Sequence, residues 1–154
     1  MGRVGVVLCP CDLEGAPLFD PDVLTEKLKG RKDVLPVVHR SPACSESGVE
    51  VIRAFVEESD LDRIVVTCSR PELFGPTCMK VLRQSGHNTA FSEVIDIRPA
   101  LASVEKGGLK EAAEHVLDLV ERKIDEIRGR VPSLKEEIPF TKRVMVIGAG
   151  ITGI

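Results

Sequence analysis

Arg3-Val4-Gly5-Val6-Val7-Leu8-Cys9-Pro10-Cys11 lies at the start of the chain and sets the frame for everything after it. Val4 to Leu8 is a short, continuous apolar run, the pattern of a strand buried on both faces. Strands of that kind belong to parallel sheets covered by helices. The next segment agrees. Asp20 is a good helix N-cap, Pro21 suits the first helical position, and Asp22 complements the positive end of the helix. Leu24 and Leu28 share one face, and Gly30 closes the helix.

The same alternation repeats downstream. Val34 to His39 is a second strand, placed at a sheet edge because Pro36 cannot donate to a ladder. Ser47 and Glu50 read as a capping box for a helix whose buried stripe is Val49, Ile52, Phe55 and Val56. Ile64-Val65-Val66-Thr67 is a third strand ending at Cys68. Pro76 to Ser85 is expected to be a helix stopped by Gly86, and Thr89 to Ile95 a fourth strand. The last helix is expected over Leu109–Arg128, with Leu109, Ala112, Ala113, Val116, Leu117, Val120, Ile124 and Ile127 on one side. On its solvated face Asp118/Arg122 and Glu126/Arg130 are acid-before-base pairs four apart. Strand–helix alternation predicts an α/β fold with a mostly parallel sheet of about four strands, flanking helices and right-handed crossovers, a Rossmann-like three-layer arrangement.

The expected domain spans residues 1–131. Residues 132–142 are charged and aperiodic, carry Pro139, and read as a linker. At 143–154 a new strand, Arg143-Val144-Met145-Val146-Ile147, runs into Gly148-Ala149-Gly150-Ile151-Thr152-Gly153. A G-x-G-x-x-G directly after a strand is the start of a dinucleotide-binding domain, with Gly148, Gly150 and Gly153 as its cofactor-binding residues. A flexible glycine-rich tail is the alternative. The helix whose N-terminus would hold the pyrophosphate is not in the sequence, so the segment by itself is not expected to bind a nucleotide.

The 154 residues suffice for one core without disulfide staples. A net charge of −3, five Phe and no Trp or Tyr leave neither a basic field nor a stacking platform, so nucleic acid is not expected as a partner. No run of roughly 18 apolar residues predicts a membrane span, no cleavage site follows the first strand, and Val6 stands where a myristoylation signal needs Ser or Thr. Five cysteines, an odd number, point to the reducing cytoplasm and to metal or redox chemistry.

Four of those cysteines share a position in the expected layout. Cys9 and Cys11 follow the first strand, Cys44 lies beyond the second, and Cys68 follows the third. The carboxyl ends of parallel strands form one edge, so these four are expected to converge there as a metal site. Cys78 shares a helix face with Val81 and Leu82 and reads as a buried hydrophobe. Zinc would take four thiolates at ~2.3 Å, which sets its sulfurs roughly 3.8 Å apart. Residues two apart in an extended Cys9-Pro10-Cys11 are ~6.6 Å apart. That spacing favours two irons of an iron–sulfur cluster, although a turn at Pro10 would readmit zinc. A strained redox disulfide and inert thiols stay open. Arg70 is equally a partner for thiolate charge or a surface residue. His39 reads as a strand-end residue, and His87 and His115 as solvated. No Ser/His/Asp set or carboxylate pair suggests hydrolysis, so no catalytic residue is expected and this segment alone is not expected to be catalytic.

These residues resemble the N-terminal region of the A subunit of heterodisulfide reductase, an iron–sulfur flavoprotein family of anaerobic electron metabolism and methanogenesis. The resemblance rests on Cys9-Pro10-Cys11, Cys44-Ser45, Val65-Val66-Thr67-Cys68-Ser69, Pro76-Thr77, Ile97-Arg98, and the approach Thr141-Lys142-Arg143 to Val146-Ile147-Gly148-Ala149-Gly150-Ile151-Thr152-Gly153. It implies an electron-transfer domain with a [4Fe-4S] cluster and, in a full-length protein only, an FAD domain with further ferredoxin-like clusters. It also implies partners among the other reductase subunits and hydrogenase or formate dehydrogenase. The sequence departs from the family in four places. Asp12 replaces a Gly, one extra residue lies between Cys68 and Pro76, Cys78 replaces a Phe, and Leu101 replaces a cysteine. If that last cysteine is a ligand in relatives, the cluster here is ligated differently or absent. A paralogue serving another reductase, such as one acting on aromatic acyl-CoA, and a non-redox docking module with a zinc or empty cysteine site are the alternatives.

Overall fold

The computed structural model describes residues 2–10, 16–38, 45–102, 104, 108–131 and 143. Within them four strands form one parallel sheet in the order β2-β1-β3-β4, with β1 Arg3–Leu8, β2 Val34–Val38, β3 Leu61–Cys68 and β4 Ser92–Asp96. The helices are α1 Pro21–Lys29, α2 Glu46–Glu58, α3 Pro71–Gln84, α4 Arg98–Leu101 and α5 Leu109–Arg128. This is the α/β three-layer architecture expected from the alternation of elements.

The two layers of core follow from the strand periodicity of two. Val4, Val6 and Leu8 of β1 pack with Leu24 and Leu28 of α1 and with Val116, Val120, Ile124 and Ile127 of α5. Val7 points the other way, into a cluster with Ile64 and Val66 of β3, Ile52 of α2, and Val81 and Leu82 of α3. A central strand buried on both faces is why Val4–Leu8 is apolar without interruption. β2 is an edge strand, where Pro36 is tolerated. The chain steps from β1 to β2 in one direction, then back past β1 to β3. Crossovers of a single hand must then lie on opposite faces, and α1 lies opposite α2 and α3.

Several element boundaries differ from the sequence expectation. Ser45, not Ser47, caps α2: its Oγ accepts the Gly48 N–H at 3.2 Å, and Ser47 lies inside the first turn. Of two serines that could cap, the one that lets Gly48 and Ile52 face the core is used. α3 begins at Pro71, five residues before Pro76, which the sequence reading takes as the helix start. Pro76 leaves the Glu72 carbonyl without its intrahelical donor. The helix continues through it because Gly75, Cys78, Val81 and Leu82 form one buried stripe. Gly86 ends this segment with φ +80°, as its lack of a Cβ permits. The Thr89–Phe91 part of the expected fourth strand is a 3-10 turn, and β4 starts at Ser92. Four residues are too short a window to show the helical period of α4. α1 and α5 lie where expected, and α5 ends at Gly129, whose N–H reaches the Asp125 and Glu126 carbonyls. The Glu126–Arg130 pair forms at 3.3 Å, whereas Arg122 donates instead to the Asp118 carbonyl.

His87 and His115 are half-buried rather than solvated. His115 Nδ1 lies 3.1 Å from the Ala100 carbonyl, at an α4–α5 contact that is visible only once α4 exists. His87 follows the Gly86 turn, and its N–H donates to the Leu82 carbonyl at 3.0 Å. Burial lowers the His87 pKa below its ordinary 6.5. Arg98 hydrogen-bonded to Asp96, and Lys123 and then Arg130 bonded to Glu126, hold those carboxyls below their usual range. All three groups bind protons more readily in the unfolded chain, so unfolding is favoured as pH falls. Stability is expected to be full above 6.5, to decline below it as His87 is protonated, and to decline further below about 4 as the carboxylates are. Urea midpoints measured across acid to mildly alkaline pH check this, and His87→Gln should flatten the upper part of the slope. A midpoint that is constant or rises on acidification would contradict it.

Candidate metal site at the strand ends

The order in which the chain adds strands reverses between β1 and β3, while all four stay parallel. In open parallel sheets, ligands collect at the carboxyl ends of the strands where the order reverses. Two of the expected ligands, Cys9 and Cys68, lie at this point. The β1–β3 register runs from Val4 opposite Arg63 to Val7 opposite Val66. Carried two residues further, it sets Cys9 level with Cys68 on strands ~4.8 Å apart. Cys9 packs in the α2/α3 core with Val7 and Val66, and the strand period of two turns Cys68, two residues after Val66, toward the same face. They are 6% and 7% exposed.

The backbone around the pair is tied from several directions. The Cys9 N–H donates to Thr67 Oγ1 at 2.8 Å, and that hydroxyl donates to the Val7 carbonyl at 3.4 Å. The Arg70 N–H donates to Cys68 Sγ at 3.4 Å, and the Ile97 N–H to the Cys68 carbonyl at 3.1 Å. The Arg70 side chain is exposed, and its backbone, not its charge, contacts the sulfur. Next to it, Arg98 grips two carboxylates. It reaches Asp96, level with Cys68 in the register, at 2.7 Å and Glu72, in the first turn of α3, at 3.1 Å. Those bonds raise the Arg98 pKa further and join the end of β4 to the start of α3.

Cys11 and Cys44 lie outside the described residues, as does His39. Their neighbours do not. Pro10 is buried, and its carbonyl accepts the Leu18 N–H at 2.5 Å. Ser45 caps α2, whose N-terminus faces the carboxyl edge because α2 returns antiparallel to the strands. Among the described residues no three His, Cys, Asp or Glu groups converge on a metal position. Cys78 is 2% exposed and packs with Val81 and Leu82, as expected of a buried hydrophobe. The expected linker, residues 132–142, and Gly148, Gly150 and Gly153 also fall outside the described residues.

Sequence reasoning missed Thr67, Asp96 and Glu72. A single hydroxyl at the end of a Val/Ile run, next to a cysteine, was the available signal for Thr67. The spacing of two between Asp96 and Arg98 was the signal for that pair.

No family model matches the chain. Curated relatives do. An iron-sulfur A subunit of the CoB–CoM heterodisulfide reductase of Methanopyrus kandleri is 31% identical over 152 residues, which is 99% of this chain and 23% of the relative. The chain matches a fragment of the heterodisulfide reductase A subunit. The A subunit of the ferredoxin/F420H2-dependent CoB–CoM heterodisulfide reductase of Methanosarcina acetivorans is 28% identical, over 99% of this chain and 19% of its own length. The A subunit of the H2/formate:CoB–CoM heterodisulfide,ferredoxin reductase of Methanococcus maripaludis is 27% identical, over 99% of this chain and 23% of its own. The chain thus spans about a fifth to a quarter of these heterodisulfide reductase subunits.

Proposed function

We propose that this domain is an iron–sulfur electron-transfer module of a flavoprotein like the heterodisulfide reductase A subunit, with a [4Fe-4S] cluster held by Cys9, Cys11, Cys44 and Cys68. The observation that carries the reading is that Cys9, just past the end of β1, and Cys68, the last residue of β3, are both buried at the carboxyl ends of adjacent strands where the strand order reverses. The names of the curated relatives support iron–sulfur chemistry. The donor set fits: thiolates are the ligands such clusters use, and backbone N–H groups such as that of Arg70 reach toward the sulfur. When bound, the cluster would accept and release single electrons. The chain's own residues enclose the thiols, fix their backbone through Thr67 and Ile97, and set the Arg98 charge beside Asp96 and Glu72.

On this reading residues 132–142 are a linker. Residues 143–154 start an FAD- or NAD-binding domain, with Gly148, Gly150 and Gly153 in its phosphate turn. FAD binds only in a full-length protein, and electrons pass between that flavin and the partner subunits. The names of relatives that include ferredoxin, H2 or formate support partners of the hydrogenase or formate dehydrogenase type. Among the described residues no helix is long and apolar enough to cross a membrane, and the reading places the protein in the cytoplasm.

The test is elemental analysis of the anaerobically loaded protein. About four irons and four sulfides per chain and a brown colour are expected. With no Trp or Tyr, the chain itself absorbs weakly in the near ultraviolet, so cluster bands stand clear. A colourless protein holding one zinc and no sulfide would overturn the electron-transfer reading in favour of a docking module.

A further inference from the structure

We propose that Thr67 is the positioning residue of the Cys9–Cys68 pair. Its hydroxyl takes the place of a ladder bond where β1 ends, and so sets where Cys9 stands relative to Cys68. The inference rests on the reading above that these two thiols serve one site.

Thr67 is fully buried, immediately before Cys68 in β3. Its Oγ1 accepts from the Cys9 N–H at 2.8 Å and donates to the Val7 carbonyl at 3.4 Å. One side chain of β3 therefore satisfies the N–H just past the end of β1 and an acceptor two residues before it. Strand pairing has run out at this position, since the β1–β3 register ends at Val7 with Val66 and β1 itself ends at Leu8. Without the hydroxyl, a buried N–H would lose this acceptor, and the Cys9-Pro10 backbone would turn to find another. Pro10 has no N–H of its own with which to hold that turn. The neighbouring Cys68 is already fixed by the Ile97 N–H on its carbonyl, so Cys9 is the member of the pair whose position depends on Thr67.

The experiment uses the whole 154-residue chain, first reduced and metal-free. The Cys9 amide should exchange with solvent as slowly as the amides of Val6 and Val7. In Thr67→Val it should exchange at least about fivefold faster, the factor one net hydrogen bond carries, while Val6 and Val7 keep their rates after correction for global stability. Dibromobimane, which fluoresces only when both arms bridge thiols, should couple Cys9 to Cys68, as located by peptide mass. The yield should drop several-fold in Thr67→Val and Thr67→Ala and return in Thr67→Ser. After anaerobic loading, Thr67→Val should shift the electron-spin resonance of the reduced protein, and Thr67→Ser should not.

A Cys9 amide that exchanges in the wild-type chain as fast as loop amides overturns the proposal, even if Thr67→Val does not fold. So does a Thr67→Val variant that unfolds earlier but keeps Cys9 protection and bridging yield. A wild-type chain that takes up no iron overturns the cluster reading alone, because the amide and bridging measurements need no metal.

Discussion

Cys9→Ser and Cys68→Ser are each expected to abolish iron binding, taking the loaded protein from about four irons per chain to fewer than one, whereas Cys78→Ser should keep its full complement. The contrast follows from position. Cys9 follows the end of β1 and Cys68 ends β3 at the carboxyl edge, and among the described residues no three His, Cys, Asp or Glu groups converge on a metal position there. Serine keeps the volume but not the thiolate that iron requires. Cys78 is as deeply buried, but it lies in the middle of α3 with Val81 and Leu82 on its own face. Placing a hydroxyl there should cost stability, about 1–3 kcal/mol for a buried polar group with incomplete hydrogen bonding, without loss of colour. Iron analysis alongside urea unfolding separates the two effects. Colour lost with Cys78→Ser at unchanged stability would move Cys78 into the ligand set. Cys11→Ser and Cys44→Ser, measured the same way, decide the two expected ligands outside the described residues.

Gly5→Val should destabilise the sheet. Gly5 lies in the middle of β1, on the face covered by α2. A Cβ there would come within 2.7 Å of Leu61 Cδ1 and 2.9 Å of Phe55 Cε1. Both distances are shorter than carbon atoms tolerate, so something must move. Gly5→Ala should cost about 1–3 kcal/mol, as overpacking usually does, and Gly5→Val at least the upper end of that range. The strain is shared by two side chains, so truncating one should relieve it. Gly5→Ala combined with Phe55→Leu should lose less than the sum of the two single changes, a coupling that a double-mutant cycle measures. Additive losses would place the close approach elsewhere.

Elements whose chemistry is local were legible from the residues alone. Apolar β-branched runs specify β1 and β3, because an unbroken run cannot be half-exposed. Asp20-Pro21 and Gly30 specify the ends of α1, and an apolar period kept up along the whole length of α5 admits one structure. The place of Cys9 just past β1 was equally legible, since it needs only the direction of a parallel strand, whereas Cys68, expected just after the third strand, is its last residue. Choices between local options of similar energy were not. Ser45 against Ser47, and Pro71 against Pro76 as a helix start, differ little in the isolated chain. They are decided by which start turns Gly48 and Ile52, or Gly75 and Cys78, onto the sheet. Apart from the edge place that Pro36 assigns to β2, strand order was likewise invisible. Packing puts β3 beside β1 and so makes Cys9 and Cys68 neighbours, with the Thr67 hydroxyl bridging residues fifty-eight apart. Such contacts carry no local signature. They exist because hydrophobic burial on both faces of β1 selects one arrangement of the elements, and the polar groups at its end must then find partners within that arrangement.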